Sequence, residues 1–129
     1  MSQVQRCTRP IFLNGRPHSN SQTSHPQHVM LHLEGLKEAV GLNSRRGLLS
    51  SLVANGPGRF KKEQPYDEDG KLRPGYACAV ASEDPCVERC VVQRTKERPP
   101  AYGLLNGYTC GRWADETVSH CRRQCSGEG

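Results

Sequence analysis

The apolar positions of this chain form one clear periodic pattern near the C-terminus and several shorter ones before it. Trp113, Ala114, Thr117, Val118, Cys121 and Cys125 recur at three and four residues, the spacing that lines one face of a helix. Thr109 stands where a hydroxyl can take up an orphan amide of the first turn, and Gly127 stands as a C-terminal cap. The pattern predicts a helix of about four turns with Cys110 at its first position. A second helix is predicted from Asp84-Pro85, the acid as N-cap and the proline at the first position. Cys86, Val87, Cys90 and Val91 form its apolar stripe, and Arg98-Pro99-Pro100 ends it.

Further upstream the pattern is weaker. Val29, Leu31 and Leu33 alternate as in a strand, which places His28, Met30 and His32 on the other face. Val29, Leu33, Leu36 and Val40 also fit a helix running to Gly41, with Pro26 near its start. Over that longer window the helix is the better match, although Gly35 costs it about 1 kcal/mol. Leu48, Leu49, Leu52 and Val53 predict a short helix within 44–54, stopped by Asn55-Gly56-Pro57-Gly58. Arg59–Gln64 reads as a short strand, Pro65–Gly70 as a turn and Leu72–Gly75 as loop. Tyr76–Ala81 reads as a buried strand. The first 27 residues are polar, with Ile11-Phe12-Leu13 before Asn14-Gly15 as one short strand and turn. The expected organisation is a flexible arm over 1–24 and a single domain over 25–129.

Composition narrows the class. Of the 129 residues 34% are hydrophobic and 5% aromatic, with 13 Gly and 9 Pro, so the core is thin for the length. The net charge of +5 is spread over Arg45-Arg46, Lys61-Lys62, Arg94–Arg98 and Arg122-Arg123, with acids between. A nucleic-acid surface would cluster its basic residues and interleave aromatics, so the charge reads as solubility and no nucleic-acid partner is expected. No apolar run has the length of a membrane helix.

Seven cysteines point to an oxidising destination. Met1–Cys7 lacks the apolar core of an export signal, so the expected setting is secretion as part of a larger effector or by a leaderless route. Cys86 and Cys90 are four apart on one predicted helix, and Cys121 and Cys125 four apart on the other. Residues i and i+4 share a helix face, so the two pairs can be bridged twice; a zinc site is the competitor. If Cys7 and Cys78 also pair, Cys110 is the odd thiol. At a helix start the free amides and the positive end of the dipole favour a thiolate. The same cysteine could instead be disulfide-bonded or a buried thiol.

The segment Tyr102-x-Leu104-Leu105-x4-Cys110-x2-Trp113-Ala114-x3-Val118 resembles the cysteine motif of circularly permuted papain-like proteins. That group includes lecithin–retinol acyltransferase and toxin domains of bacterial Rhs-type polymorphic effectors. The chain departs from the motif at Thr109, where the group carries Asn. The resemblance implies an α+β domain with a small antiparallel sheet. It implies Cys110 as nucleophile and His28 as base, with His32 or His25 as replacement or third member. Thr109 and Gly111 would face the substrate oxyanion. It implies no cofactor and no metal, an immunity protein as partner, and a protein, lipid or peptidoglycan substrate. His120 is expected to be a surface residue and Trp113 core. The resulting expectation is an antibacterial effector toxin domain performing cysteine-dependent hydrolysis, deamidation or acyl transfer. Its alternatives are a disulfide-rich secreted binding module and a basic nuclease-type toxin.

Overall fold

The computed structural model describes residues 3–10, 27–44, 56–103 and 108–127. These form strands β1 (Val4–Pro10), β2 (Gln27–Leu33), β3 (Glu38–Ser44), β4 (Gly58–Glu63) and β5 (Ala77–Ser82). Helices α1 (Pro85–Thr95) and α2 (Cys110–Cys125) follow. The sheet is antiparallel throughout, in the order β4-β3-β2-β1-β5. The architecture is α+β, with two helices on one face of a five-stranded sheet.

The predicted helix over 28–41 is instead the β2–β3 hairpin. Glu34–Lys37 form its turn, closed by bonds from the Leu36 and Lys37 amides to Leu33 O at 3.1 and 2.9 Å. The alternation of Val29, Leu31 and Leu33 is the pattern that carries over. These side chains pack with Val40, Leu42, Val87, Val91, Trp113 and Val118 in the main core. A helix would have buried Leu36, which is exposed in the turn. β2 lies in the middle of the sheet and is buried on both faces, so pairing on either side outweighs a helical periodicity that propensity alone does not secure.

The opposite face of the sheet holds a second, smaller cluster of Cys7, Met30 and Ala39, against which Tyr76 and Cys78 pack. Residues 4–10 of the expected N-terminal arm are strand β1, paired with β2 on one side and β5 on the other. The short strand expected at 11–13 and the helix expected over 44–54 lie outside the described residues, except that Ser44 ends β3. β5 falls where a buried strand was expected, but it is a sheet edge, and Val80 is 51% exposed.

Both helices start at the expected residues, but only the first has the side-chain cap the sequence predicts. The Asp84 carboxylate accepts from the Cys86 amide at 2.9 Å. Glu88 of α1 reaches the hairpin turn, accepting from the Gly35 amide at 2.9 Å. α2 ends with Gly127 at φ +83°, a left-handed position that glycine adopts without strain. Its N-cap position is Thr109, but the Thr109 hydroxyl makes no cap bond. The two helices are joined by Cys86–Cys125 and Cys90–Cys121, and β1 is joined to β5 by Cys7–Cys78. Three disulfides are compatible with an extracellular or secreted protein. No helix among the described residues is long and apolar enough to cross a membrane.

Candidate active site

With six cysteines bridged, Cys110 is the one thiol, and it is 4% exposed. It opens α2 beside the start of β2. The pairing of β2 with β3 runs only from Leu33 to Leu31, although both strands continue. Beyond that point the Val29 amide donates to the Cys110 sulfur at 3.3 Å. The sulfur thus takes a place in the sheet's hydrogen bonding that a β3 carbonyl would otherwise fill.

His28, 6% exposed, is the residue before Val29, and its ring stands near enough to the Cys110 sulfur for each group to shift the other's titration. Its ring lies over Gly41 of β3. A Cβ at position 41 would stand 2.9 Å from His28 Nε2 and 3.0 Å from Val29 O, closer than packed atoms approach. Glycine there makes room for the ring.

On the far side of that ring is Glu63, the last residue of β4. Its Oε2 lies 3.0 Å from His28 Nε2. The contact is an ion pair rather than an aligned hydrogen bond, because the ring N–H does not point at the oxygen. Glu63 is also held by Arg9 of β1, with Nε 2.6 Å from Oε1 and Nη2 3.1 Å from Oε2. The Tyr76 hydroxyl donates to Oε1 at 2.9 Å. The site is therefore a chain from Cys110 to His28 to Glu63, with Arg9 and Tyr76 fixing its last member.

The electrostatics follow from this geometry. Burial pushes the Cys110 thiol up, but the His28 ring and the Val29 and Gly111 amides together bring it below its ordinary value. Burial lowers His28, yet Cys110 and Glu63 outweigh it and leave the imidazole above its usual range. Glu63 is raised by burial and lowered more strongly by His28 and Arg9, so it stays ionised. Tyr102 is pushed up to about 12 by burial and by the neighbouring Cys110, so its hydroxyl keeps its proton.

The structure brings together Cys110, His28 and the Gly111 amide among the residues singled out from the sequence. His32 stands apart. It is four residues further along β2, roughly 13 Å along the strand, edge-on to Tyr66 with ring centroids 5.0 Å apart. It lines a separate cavity of about 700 Å³ with Gln5, Lys37, Tyr66 and Arg73. Alternate strand residues share a face, which is why the sequence placed both histidines together; only one reaches the helix start. The Thr109 carbonyl, not its hydroxyl, is engaged, accepting from the Trp113 amide at 3.0 Å. His25 lies outside the described residues. His120 lines a shallow surface depression with Arg94 and Asp115. No group of three or more metal-ligating side chains is gathered among the described residues. In place of a zinc site, Cys86, Cys90, Cys121 and Cys125 form two disulfides.

Glu63, Arg9 and Tyr76 carried no sequence signal as site residues. Glu63 is one acid among 13 Asp and Glu, and only the register β4-β3-β2 sets it against His28. The one local hint is Gly41, since a glycine inside a strand marks a close approach. No protein-family model, curated protein or solved structure matches the chain.

Proposed function

We propose that this domain is a cysteine-dependent acyl-transfer enzyme of the permuted papain-like kind, acting on an amide or ester by hydrolysis, deamidation or transfer. The observation that carries this reading is the Cys110–His28–Glu63 chain, in which the only unbridged cysteine meets an imidazole backed by a buried carboxylate. Nucleophile, base and orienting group in series are what a weak nucleophile needs for activation.

The chemistry runs as follows. The Cys110 thiolate attacks the carbonyl carbon, and the π electrons move onto the oxygen. The first-turn amide of Gly111 and the Tyr102 hydroxyl, which stabilise the thiolate, lie close to where that oxyanion develops. His28, protonated in the resting pair, gives its proton to the leaving nitrogen or oxygen as the tetrahedral adduct collapses. A thioester on Cys110 remains. Neutral His28 then takes a proton from water or from an acceptor nucleophile, which attacks the thioester and restores the thiol. Glu63 keeps the imidazolium favourable and the ring oriented throughout. The effector setting with an immunity partner rests on the motif resemblance. The disulfides fit a protein that leaves the reducing cytosol.

The test is acylation of the folded protein by an activated ester such as p-nitrophenyl acetate, with intact-mass and peptide mapping. The expected result is a single acetyl group on Cys110 that turns over in wild type and is absent from Cys110→Ala and His28→Ala. Native protein that gains no adduct at Cys110, while the unfolded protein does, points to a buried structural thiol and to the binding-module alternative. The biological setting is tested separately, by periplasmic expression of wild type and Cys110→Ala, where only wild type should arrest growth.

A further inference from the structure

We propose that Arg9 and Tyr76 are positioning residues acting on the Cys110–His28 pair through Glu63. We further propose that the Cys7–Cys78 disulfide holds both of them, so that the reactive pair forms fully only with that bridge closed. The proposal rests on the cysteine-nucleophile reading and adds to it a redox condition located away from the nucleophile.

Glu63 reaches His28 from β4, with β3 between β4 and β2. Arg9 reaches the same carboxylate from β1, on the opposite side of β2. Tyr76 comes from the segment entering β5, the strand beyond β1. Three partners from three elements therefore meet one buried carboxylate, whose side chain is 9% exposed: the His28 ring as an ion pair, and Arg9 and Tyr76 as donors.

The disulfide sits between the two added donors. Cys7 and Arg9 are alternate residues of β1 and so share a face, and Tyr76 precedes Cys78 by the same interval. Cys7 and Cys78 are direct cross-strand partners, with Cα atoms 4.0 Å apart. The β1–β5 ladder ends one residue further on, at Thr8 and Ala77, so Tyr76 lies just past the last rung. Among the described residues β5 is a sheet edge paired only with β1. The end of an edge strand frays first, and this bridge pins that end. Cys7 is wholly buried and packs with Met30 and Ala39 under Tyr76.

Opening the bridge takes two electrons and two protons. A dithiol reductant would supply them, closing its own disulfide while Cys7 and Cys78 become thiols. Its thiolate would attack at Cys78, the half-buried partner, and release Cys7. With the pin gone, Tyr76 and Arg9 lose their fixed aim on Glu63. The charged and titratable groups around the reactive pair are then Arg9 from β1, His28 from β2, Glu63 from β4, Tyr76 ahead of β5, and Tyr102 beside Cys110. Three of these are anchored directly or indirectly by one cystine. Arg9 also favours the Cys110 thiolate by charge.

The experiment is the rate of Cys110 alkylation by iodoacetamide as a function of pH. It is read on wild type, Cys7→Ser/Cys78→Ser, Arg9→Gln, Arg9→Lys and Tyr76→Phe, with Cys86→Ser/Cys125→Ser as control. The inflection should move toward an ordinary thiol in the Cys7/Cys78, Arg9→Gln and Tyr76→Phe variants. Each unit of movement lowers the rate at acidic pH about tenfold. Arg9→Lys should recover part of it, since lysine restores the charge but not the fork. The Cys86/Cys125 control should lose stability and keep the wild-type profile, which a purely structural role for Cys7–Cys78 would also give. If the serine pair does not fold, limited reduction of wild type, mapped bridge by bridge, replaces it. Profiles of Cys7/Cys78-opened, Arg9→Gln or Tyr76→Phe protein that superimpose on wild type overturn the proposal. A wild-type profile with the inflection of an ordinary thiol would instead overturn the nucleophile reading.

Discussion

The helix pair and the face of the sheet around His28 both depend on cysteines, but they use them in opposite ways. Between α1 and α2 two bridges lie along one seam, Cys86–Cys125 and Cys90–Cys121, and the residues they join are spent on stability. Around His28 the third bridge is a single pin, and the cysteine left over is the free thiol proposed as nucleophile. The helix seam is repetitive and needs only two faces to meet. The site needs five side chains from four strands or their flanks and one helix start. The first region can be perturbed with loss of stability and little loss of chemistry. The second should lose chemistry with little loss of stability. The link between them is α2, which the staple fixes and whose first residue is Cys110. Trp113 near its start packs on Phe60 of β4 with ring centroids 5.0 Å apart, which ties the helix to the strand that carries Glu63.

The sharpest break in this comparison is Cys110→Ala. It removes the proposed nucleophile outright, so acyl transfer and alkylation should disappear, while the melting temperature shifts by at most a few degrees. Thermal unfolding beside an acylation assay checks both halves, and an unfolded variant would show that the thiol is structural. Next in size is removal of one helix bridge by paired alanines. The two bridges are nested, with separations of 39 and 31 residues, so with one kept the other closes only the 8 residues between them (39 − 31), roughly 2.5 kcal/mol by chain entropy. Denaturant titration should show that loss with acylation in the folded fraction unchanged.

The two regions also differ in how far they could be read from the chain. The helices, the Asp84 cap and the pairing of 86/90 with 121/125 follow from local sequence, the pairing because i and i+4 share a face whatever surrounds them; the Thr109 hydroxyl cap does not form. The alternation of Val29, Leu31 and Leu33 was equally legible but competed with a helical pattern through Leu36 and Val40, and only pairing with β1 and β3 decides between the two. Cys110 and His28 could be named in advance. Their meeting could not be derived, since it depends on a hairpin whose ladder stops at Leu31. Glu63 and Arg9 were out of reach for the same reason: a residue's partner across two strands is a property of register, and register is not local.

Smaller effects sharpen the site half. Gly41→Ala places a methyl group against His28 and the Val29 carbonyl and should cost about 1–3 kcal/mol as local overpacking. Its acylation rate should fall by more than that of a core variant of equal stability, because the displaced group is the proposed base. Glu63→Gln should show its effect through pH. Glu63 titrates below its ordinary 4.5 in the folded protein. Its contribution is therefore complete above that value and lost as pH falls through the folded one. His28 titrates above its ordinary 6.5, so its contribution is complete below that value and lost as pH rises. Both are present between about pH 4.5 and 6.5. The stability gap between wild type and Glu63→Gln should be widest there and narrow on further acidification. A gap constant with pH would mean that Glu63 carries no charge-dependent contact.

The smallest effect belongs to the helix half and has the opposite sign. Thr117 lies on the buried face of α2, wholly inaccessible, and its hydroxyl has no hydrogen-bond partner among the described residues. A buried hydroxyl without a partner has lost its bonds to water and gained none in return. Valine has nearly the same shape and is β-branched like threonine, so the rotamer and the packing against the core can be kept. Thr117→Val should therefore stabilise the protein, by about 1 kcal/mol. The added methyl group offsets its slightly larger volume by apolar contact with neighbours such as Val118 and Cys121 of the same core. Because Thr117 is two turns from Cys110 along α2, the alkylation profile of Cys110 should not move. Denaturant midpoints measured beside that profile decide it. Destabilisation would mean that the hydroxyl has a partner that makes it part of the core's bonding. A gain in stability with a shifted profile would mean that the two regions are not separable along α2.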